Sequence, residues 1–214
     1  RELLETMAAS PRILNYIDIP MQHASPDILK AMNRPDKPDE VLKIIELART
    51  LMPDVCVRTT YIVGFPGETE KHFRELEEFI KKARFDRLGV FRFSQESGTP
   101  AATMDGQLNE SVKAERYNRL MLLQRDISID KNRAWIGREM NILIESFTQT
   151  HGIMRGRSFR DAPDIDGNVF VSAKSVRPGD FIVAKIREAL EYDLMAETVN
   201  QQKPGRNPQR KADL

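Results

Sequence analysis

The residues that could do chemistry in this sequence are polar groups placed directly after apolar runs. Three such places stand out: residues 18–25 (DIPMQHAS), 64–69 (GFPGET) and 94–99 (SQESGT). Where strands alternate with helices in a parallel sheet, ligands bind beyond the carboxyl ends of the strands, so these loops are where a site would form. In GFPGET, Gly64 and Gly67 let backbone approach a ligand closely, and Glu68 and Thr69 open the next helix, where a carboxylate complements the helix dipole. The same residues also make an ordinary tight strand-to-helix turn with Thr69 as N-cap, and both readings stand. In DIPMQHAS, Ser25 is a natural N-cap with Pro26 at the first helical position. Gln22 and His23 have no such local role. A ligand explains them, as does burial of the His as a satisfied core residue.

Metal and nucleophile chemistry find little here. Cys56 is the only cysteine, which excludes an internal disulfide and any CxxC metal site, and His23, His72 and His151 lie far apart in the chain. Between Val55 and Val57, Cys56 reads as a small buried hydrophobe rather than a nucleophile. Lys plus Arg number 33 against 32 Asp plus Glu, so overall charge makes no case for nucleic acid and any such case is local. No apolar run approaches the roughly 20 residues of a membrane span, and no charged leader precedes a short apolar core, so a cytoplasmic protein without a membrane partner is expected. The chain opens at Arg1 in what reads as a helix already under way (Glu2, Leu3, Leu4, Met7), as in a piece of something longer.

The elements that must position these loops follow from periodicity. A strand at 13–19 stops at Pro20. Helices follow at 26–32 and at 38–51, the second with Val41, Leu42, Ile45 and Leu47 at helical spacing. Residues 55–63 are β-branched and end at Gly64, Pro66 and Gly67, and a helix at 69–83 has Phe73, Leu76, Phe79 and Ile80 on one face. A third strand at 87–93 precedes a long helix at 109–135 that stops at Gly137, where a left-handed C-cap costs little. Strands separated by helices predict a parallel sheet with right-handed crossovers. Three units cannot close an eight-unit barrel but fit the last part of a smaller or open one. Beyond Gly137 the period becomes alternating, through Met140, Ile142, Ile144, Ile153, 169–171 and 181–186, with turns at His151-Gly152, Asp166-Gly167 and Pro178-Gly179. That predicts a small β-barrel. The domains expected are 1–136, 137–199 and a basic tail at 200–214, too polar to offset its ordering entropy and so read as disordered.

Three strings lie at the strand ends: IDIPMQHASPDILKAMNRP (17–35), RTTYIVGFPGETEKHF (58–73) and DRLGVFRFSQESGTPAA (86–102). In this order they resemble successive strand ends of the methylthiotransferase branch of the radical S-adenosylmethionine (SAM) enzymes. The likeness continues through RYNRLMLLQRDIS (116–128), GRSFRDAPDIDGNVFV (156–171), which resembles a TRAM domain, and EYDLMAE (191–197). It covers nearly all of the chain before the tail. The tRNA-modifying members typically read QSGS where this chain has QHAS at 22–25. QHAS, DAPDIDG and EYDL are similar to the RimO type, which methylthiolates an aspartate of ribosomal protein S-twelve.

The resemblance implies an α/β fold, the carboxy-terminal part of a partial (βα)6 barrel, followed by a small all-β TRAM barrel of OB-like form. It implies SAM and 4Fe–4S clusters as cofactors, one cluster held by a CxxxCxxC motif and another by a preceding domain. This chain has none of those cysteines, so its part alone is expected to be inactive. By the same likeness Gly64, Pro66, Gly67 and Glu68 line the SAM side, and Gln22, His23 and Arg58 point toward SAM or the target. Between Arg138 and Val199 there are eight Lys plus Arg and ten Asp plus Glu, a net of minus two. Phosphate binding needs a positive surface, so the TRAM-like segment is expected to meet a basic protein through Asp161, Asp164 and Asp166, with the tail from Lys203 to Lys211 left to hold RNA loosely. A tRNA methylthiotransferase is the second reading. A cluster-free binding protein is the third, and a CxxxCxxC motif upstream of Arg1 would eliminate it.

Overall fold

The computed structural model describes residues 1–150, 152–173 and 176–199, so His151 and the expected tail at 200–214 lie outside the described residues. The chain divides into two compact units between Ser128 and Ile129.

The first unit contains α1 (Glu2–Ala9), β1 (Tyr16–Gln22), α2 (Pro26–Ala31), α3 (Pro38–Leu51), β2 (Cys56–Val63), α4 (Glu70–Ala83), β3 (Arg87–Arg92), a 3-10 turn at Pro100–Thr103, and α5 (Glu110–Arg133) as far as Ser128. The three strands form one parallel sheet in the order β1-β2-β3. Its central strand, CVRTTYIV, alternates in burial: Val57, Thr59, Tyr61 and Val63 are buried while Arg58, Thr60 and Ile62 are half-exposed. On the buried face Val57, Tyr61 and Val63 share a core with Val41 and Ile45 of α3, Phe73, Leu76 and Ile80 of α4, and Leu120 and Ile127 of α5. Burial pushes the Tyr61 phenol well above its ordinary pKa, so it is a neutral core group whose hydroxyl lies 3.5 Å from Met21 Sδ. Cys56 is buried at the strand's start.

The first strand differs from the expected 13–19. It begins at Tyr16, leaves Ile13 and Leu14 exposed, and runs through Pro20 to Gln22 with a register shift after Ile19. Proline is tolerated because Pro20 falls at this irregularity in the pairing with β2, a position where a sheet accommodates a missing N–H. Gln22 ends it with φ of 68°, a left-handed conformation uncommon outside glycine.

In the second unit β4 (Glu139–Phe147), β5 (Ile153–Arg157), β6 (Val169–Ser172), β7 (Phe181–Ala189) and β8 (Leu194–Thr198) close into a barrel in the order β4-β5-β6-β8-β7. The β6/β8 pair is parallel, and the other pairs are antiparallel. Met140, Ile142, Ile144, Val169, Val171, Ala184 and Ile186 fill the interior. Periodicity anticipated four of the five strands. β8 escaped because Leu, Met, Ala and Glu are helix formers, and it is specified by pairing with β6 on one side and β7 on the other. Gly156 is obligatory in β5, since a Cβ there would collide with the backbone of Leu143 and the side chain of Ile142. No helix among the described residues is long and apolar enough to cross a membrane.

Candidate functional site

The loops after β1 and β2 meet at a buried carboxylate. Gly64 and Gly67, with φ of +78° and +80°, fold residues 64–68 into a tight turn, and Glu68 closes it. Its Oε2 accepts from Gly64 N at 2.7 Å, and its Oε1 and backbone O accept from Arg116 Nη1 at 2.7 and 2.9 Å. The Glu68 side chain is wholly buried and that of Arg116 7% exposed, so the pair is shielded from water and neutralised internally. His23, also wholly buried, sets Nε2 3.6 Å from Glu68 Oε2 while Nδ1 accepts from Ser25 N. An accepting Nδ1 places the proton of the neutral ring on Nε2, the nitrogen that faces the carboxylate. This electrostatic contact lies beyond hydrogen-bond length, and Nε2 has no hydrogen-bond partner among the described residues.

Helix α5 holds the cluster from a distance in sequence. Lys113, whose side chain is 5% exposed, donates from Nζ to Phe93 O at the exit of β3 (3.0 Å) and to Glu110 Oε1 (2.7 Å), and its methylenes fill the space beside Gly64. Gly67 N–H donates to Gly106 O in the segment leading into α5. Thr69 caps α4 as expected, in a capping box completed by His72 rather than the usual Glu or Gln. The helix α2 behaves otherwise. Ser25 occupies its N-cap and Pro26 its first turn, but Ser25 Oγ donates to Glu75 of α4 instead of capping.

Of the residues expected at a site, Gln22, His23, Gly64, Pro66, Gly67 and Glu68 lie at or just beyond the carboxyl ends of β1 and β2. Glu68 and His23 face inward, Gln22 is half-exposed, and a Cβ at Gly67 would meet nothing within 4 Å among the described residues. Arg58 sits apart, third in β2 beside Asp18 of β1. Its Nη1 donates to Asp18 Oδ2 at 2.7 Å and Thr60 Oγ1 at 3.3 Å, on the sheet face that points away from the helices. Gly89 and the 58%-exposed Phe91 share that face.

The three barrel aspartates do not form a common surface. Asp161 is buried, its Oδ2 accepting from Ser158 N and Oγ; Asp166 is half-buried and accepts from Ala162 N; Asp164 alone is exposed, with φ of 60°. Short polar side chains in a turn satisfy nearby backbone N–H groups, which draws two of the three inward. Beside them the Arg160 guanidinium is buried against the Trp135 ring, 4.8 Å from its centroid.

Lys113 and Arg116 were not singled out from the sequence, although a signal existed. Lys113, Arg116, Leu120, Gln124 and Ile127 are buried at spacings of three and four. A cation on the inward stripe of a helix requires an internal partner. No group of three or more His, Cys, Asp or Glu among the described residues could hold a metal ion.

Residues 1–80 match the family model of the radical SAM superfamily, and residues 136–199 match that of the TRAM domain. Over 92% of its length the chain is similar to curated proteins called ribosomal protein uS12 methylthiotransferase RimO. It is 51% identical to that of Desulforamulus reducens, 45% to that of a Thermoanaerobacter species and 43% to that of Geobacter sulfurreducens. The chain spans 45%, 44% and 44% of the length of these relatives. It thus carries a radical SAM segment followed by a TRAM domain and is RimO-like throughout the matched region.

Proposed function

We propose, from the premise that this chain joins a radical SAM segment to a TRAM domain and is RimO-like along nearly all its length, that it forms part of a methylthiotransferase acting on an aspartate of ribosomal protein S-twelve. The observation that carries the reading is the strand-end cluster, in which Glu68, Arg116 and His23 fix two adjacent loops from beneath while the backbone of Gly67 faces open space. This is the arrangement a ligand-binding end of a parallel sheet requires: rigid below, accessible above.

SAM fits such an edge. Gly67 leaves room for close approach of the ligand to backbone, Gln22 brings a half-exposed amide to the neighbouring strand end, and Arg58, steadied by Asp18 and Thr60, sets a planar cation on the adjoining face. The chemistry SAM would supply, given a reduced 4Fe–4S cluster, is hydrogen abstraction from an unactivated carbon. The cluster does not fit this chain, whose one cysteine is buried at the start of β2, so its thiolates belong to residues outside the sequence described here. The role left to this chain is to bind, orient and exclude water.

The TRAM barrel is read as a protein-facing module because its net charge of minus two opposes phosphate binding. Asp164, exposed on a turn shaped by Asp161 and Asp166, is the carboxylate placed to meet a lysine. Division of labour near Gly137 and a cytoplasmic setting accompany this reading. The test takes the protein extended upstream of Arg1, reconstituted anaerobically with iron and sulfide, and supplies SAM, dithionite and either 30S subunits or tRNA. Mass spectrometry is expected to find one methylthio group on an aspartate of the ribosomal protein. Modification of tRNA alone would overturn the reading.

A further inference from the structure

We infer that the first turns of α5 are a positioning element for the ligand-facing turn at residues 64–68, acting through Lys113 and Arg116. Neither residue has an ordinary reason to be buried. Ordering and desolvating a lysine and an arginine is costly unless each cation finds close partners, and besides Glu110 of α5 itself and Glu70 of α4 those partners are Phe93 O and Glu68, at the exits of β3 and β2. Arg116 grips the far end of the turn, bonding both the backbone and the carboxylate of Glu68, and through that carboxylate it reaches the Gly64 N–H. Lys113, one helical turn earlier, covers the near end. A Cβ at Gly64 would collide with its Cγ, and its ammonium ties down Phe93 O at the end of β3. Gly67 N–H to Gly106 O adds a third tether. The turn is therefore packed against at Gly64 and bonded at Gly67 and Glu68, each time from the segment that leads into or forms α5. Among the described residues nothing lies within 4 Å of where a Cβ of Gly67 would stand, so the clamped backbone stays open on its ligand side.

Lys113 and Arg116 are positioning residues that touch the turn rather than the reacting atoms. This rests on the SAM reading of the turn, and the test separates the two. In the upstream-extended, cluster-loaded protein without reductant, so that no turnover occurs, SAM affinity is measured by equilibrium dialysis and amide hydrogen exchange is followed at residues 64–68. Lys113→Ala and Arg116→Lys are expected to weaken SAM binding roughly tenfold, the scale of one lost charge-assisted hydrogen bond. Both are expected to speed exchange at 64–68, leaving cluster absorption and exchange in the barrel unchanged. Lys113→Met keeps the methylenes beside Gly64 and is expected to recover part of the loss. It also serves if Arg116→Lys fails to fold. Wild-type affinity in the folded variants would overturn the inference alone. A wild-type protein that does not bind SAM would overturn the functional reading and, with it, the ligand role of the clamp.

Discussion

The two units bury their polar groups in different ways. The barrel joins β4 to both β5 and β7 and leaves no edge, and its interior is a continuous set of aliphatic side chains. The three described strands of the parallel sheet have a covered face and a second face carrying Asp18, Arg58 and Phe91. Buried charge follows the same division. In the barrel unit Arg160 stacks on Trp135 and Asp161 stitches a turn to its own neighbour Ser158. In the sheet unit Glu68 links residues 48 positions apart in sequence. Asp161 of the barrel unit finishes a local turn, whereas Glu68 of the sheet unit holds loops from different strands in one place.

The sharpest way to break this contrast is Glu68→Ala. It strands the Arg116 cation and the Gly64 N–H in the interior, and removing one member of a buried pair costs about 3–5 kcal/mol. Amide protection is expected to fall across β1, β2 and α4 while β4 to β8 keep theirs. Equal loss in the barrel would show that the units are not separately stabilised. The reciprocal change is Ile142→Ala, at a fully buried barrel position. A cavity there costs about 2–5 kcal/mol, and denaturant unfolding followed by exchange is expected to lose barrel protection first, with the 64–68 turn unaffected.

Smaller changes sharpen the contrast within the sheet unit. Thr69→Ala removes one half of the capping box on α4, which costs about 1 kcal/mol, and it is expected to lower the melting temperature of this unit without altering the Glu68–Arg116 contact. The smallest effect concerns acid. The hydrogen bond from Lys113 holds the Glu110 carboxyl below the usual carboxylate range, against a slight desolvation that raises it. A folded pKa below the unfolded value, about 4.3, means that the stabilisation is complete above that unfolded value and is lost as pH falls through the folded one. The melting-temperature difference between wild type and Glu110→Gln is therefore expected to be constant above about pH 5 and to close on further acidification.

Local signals carried much of the architecture. Proline and glycine marked the loops, helical spacing gave α3, α4 and α5, and alternation gave four barrel strands. They failed where local propensity and final environment disagree. The strand β1 crosses Pro20 at a register shift in its pairing with β2, which no single strand can announce. The helix-forming residues of β8 were overruled by partners on both sides. The three aspartates looked alike as letters, yet one was drawn into the interior by Ser158 and another into a turn by Ala162 N–H.

By itself the sequence determined where the strand-end loops fall, because Gln22, His23 and the Gly64–Glu68 turn follow directly from strand ends and from glycine's access to positive φ. Only the tertiary structure decided which way those residues face. Whether Glu68 meets a ligand or an arginine depends on Arg116, which lies 48 residues away, and on burial that makes an unpaired carboxylate too costly to tolerate. That choice is set by long-range packing of α5 against the strand ends, and no local pattern around Glu68 encodes it.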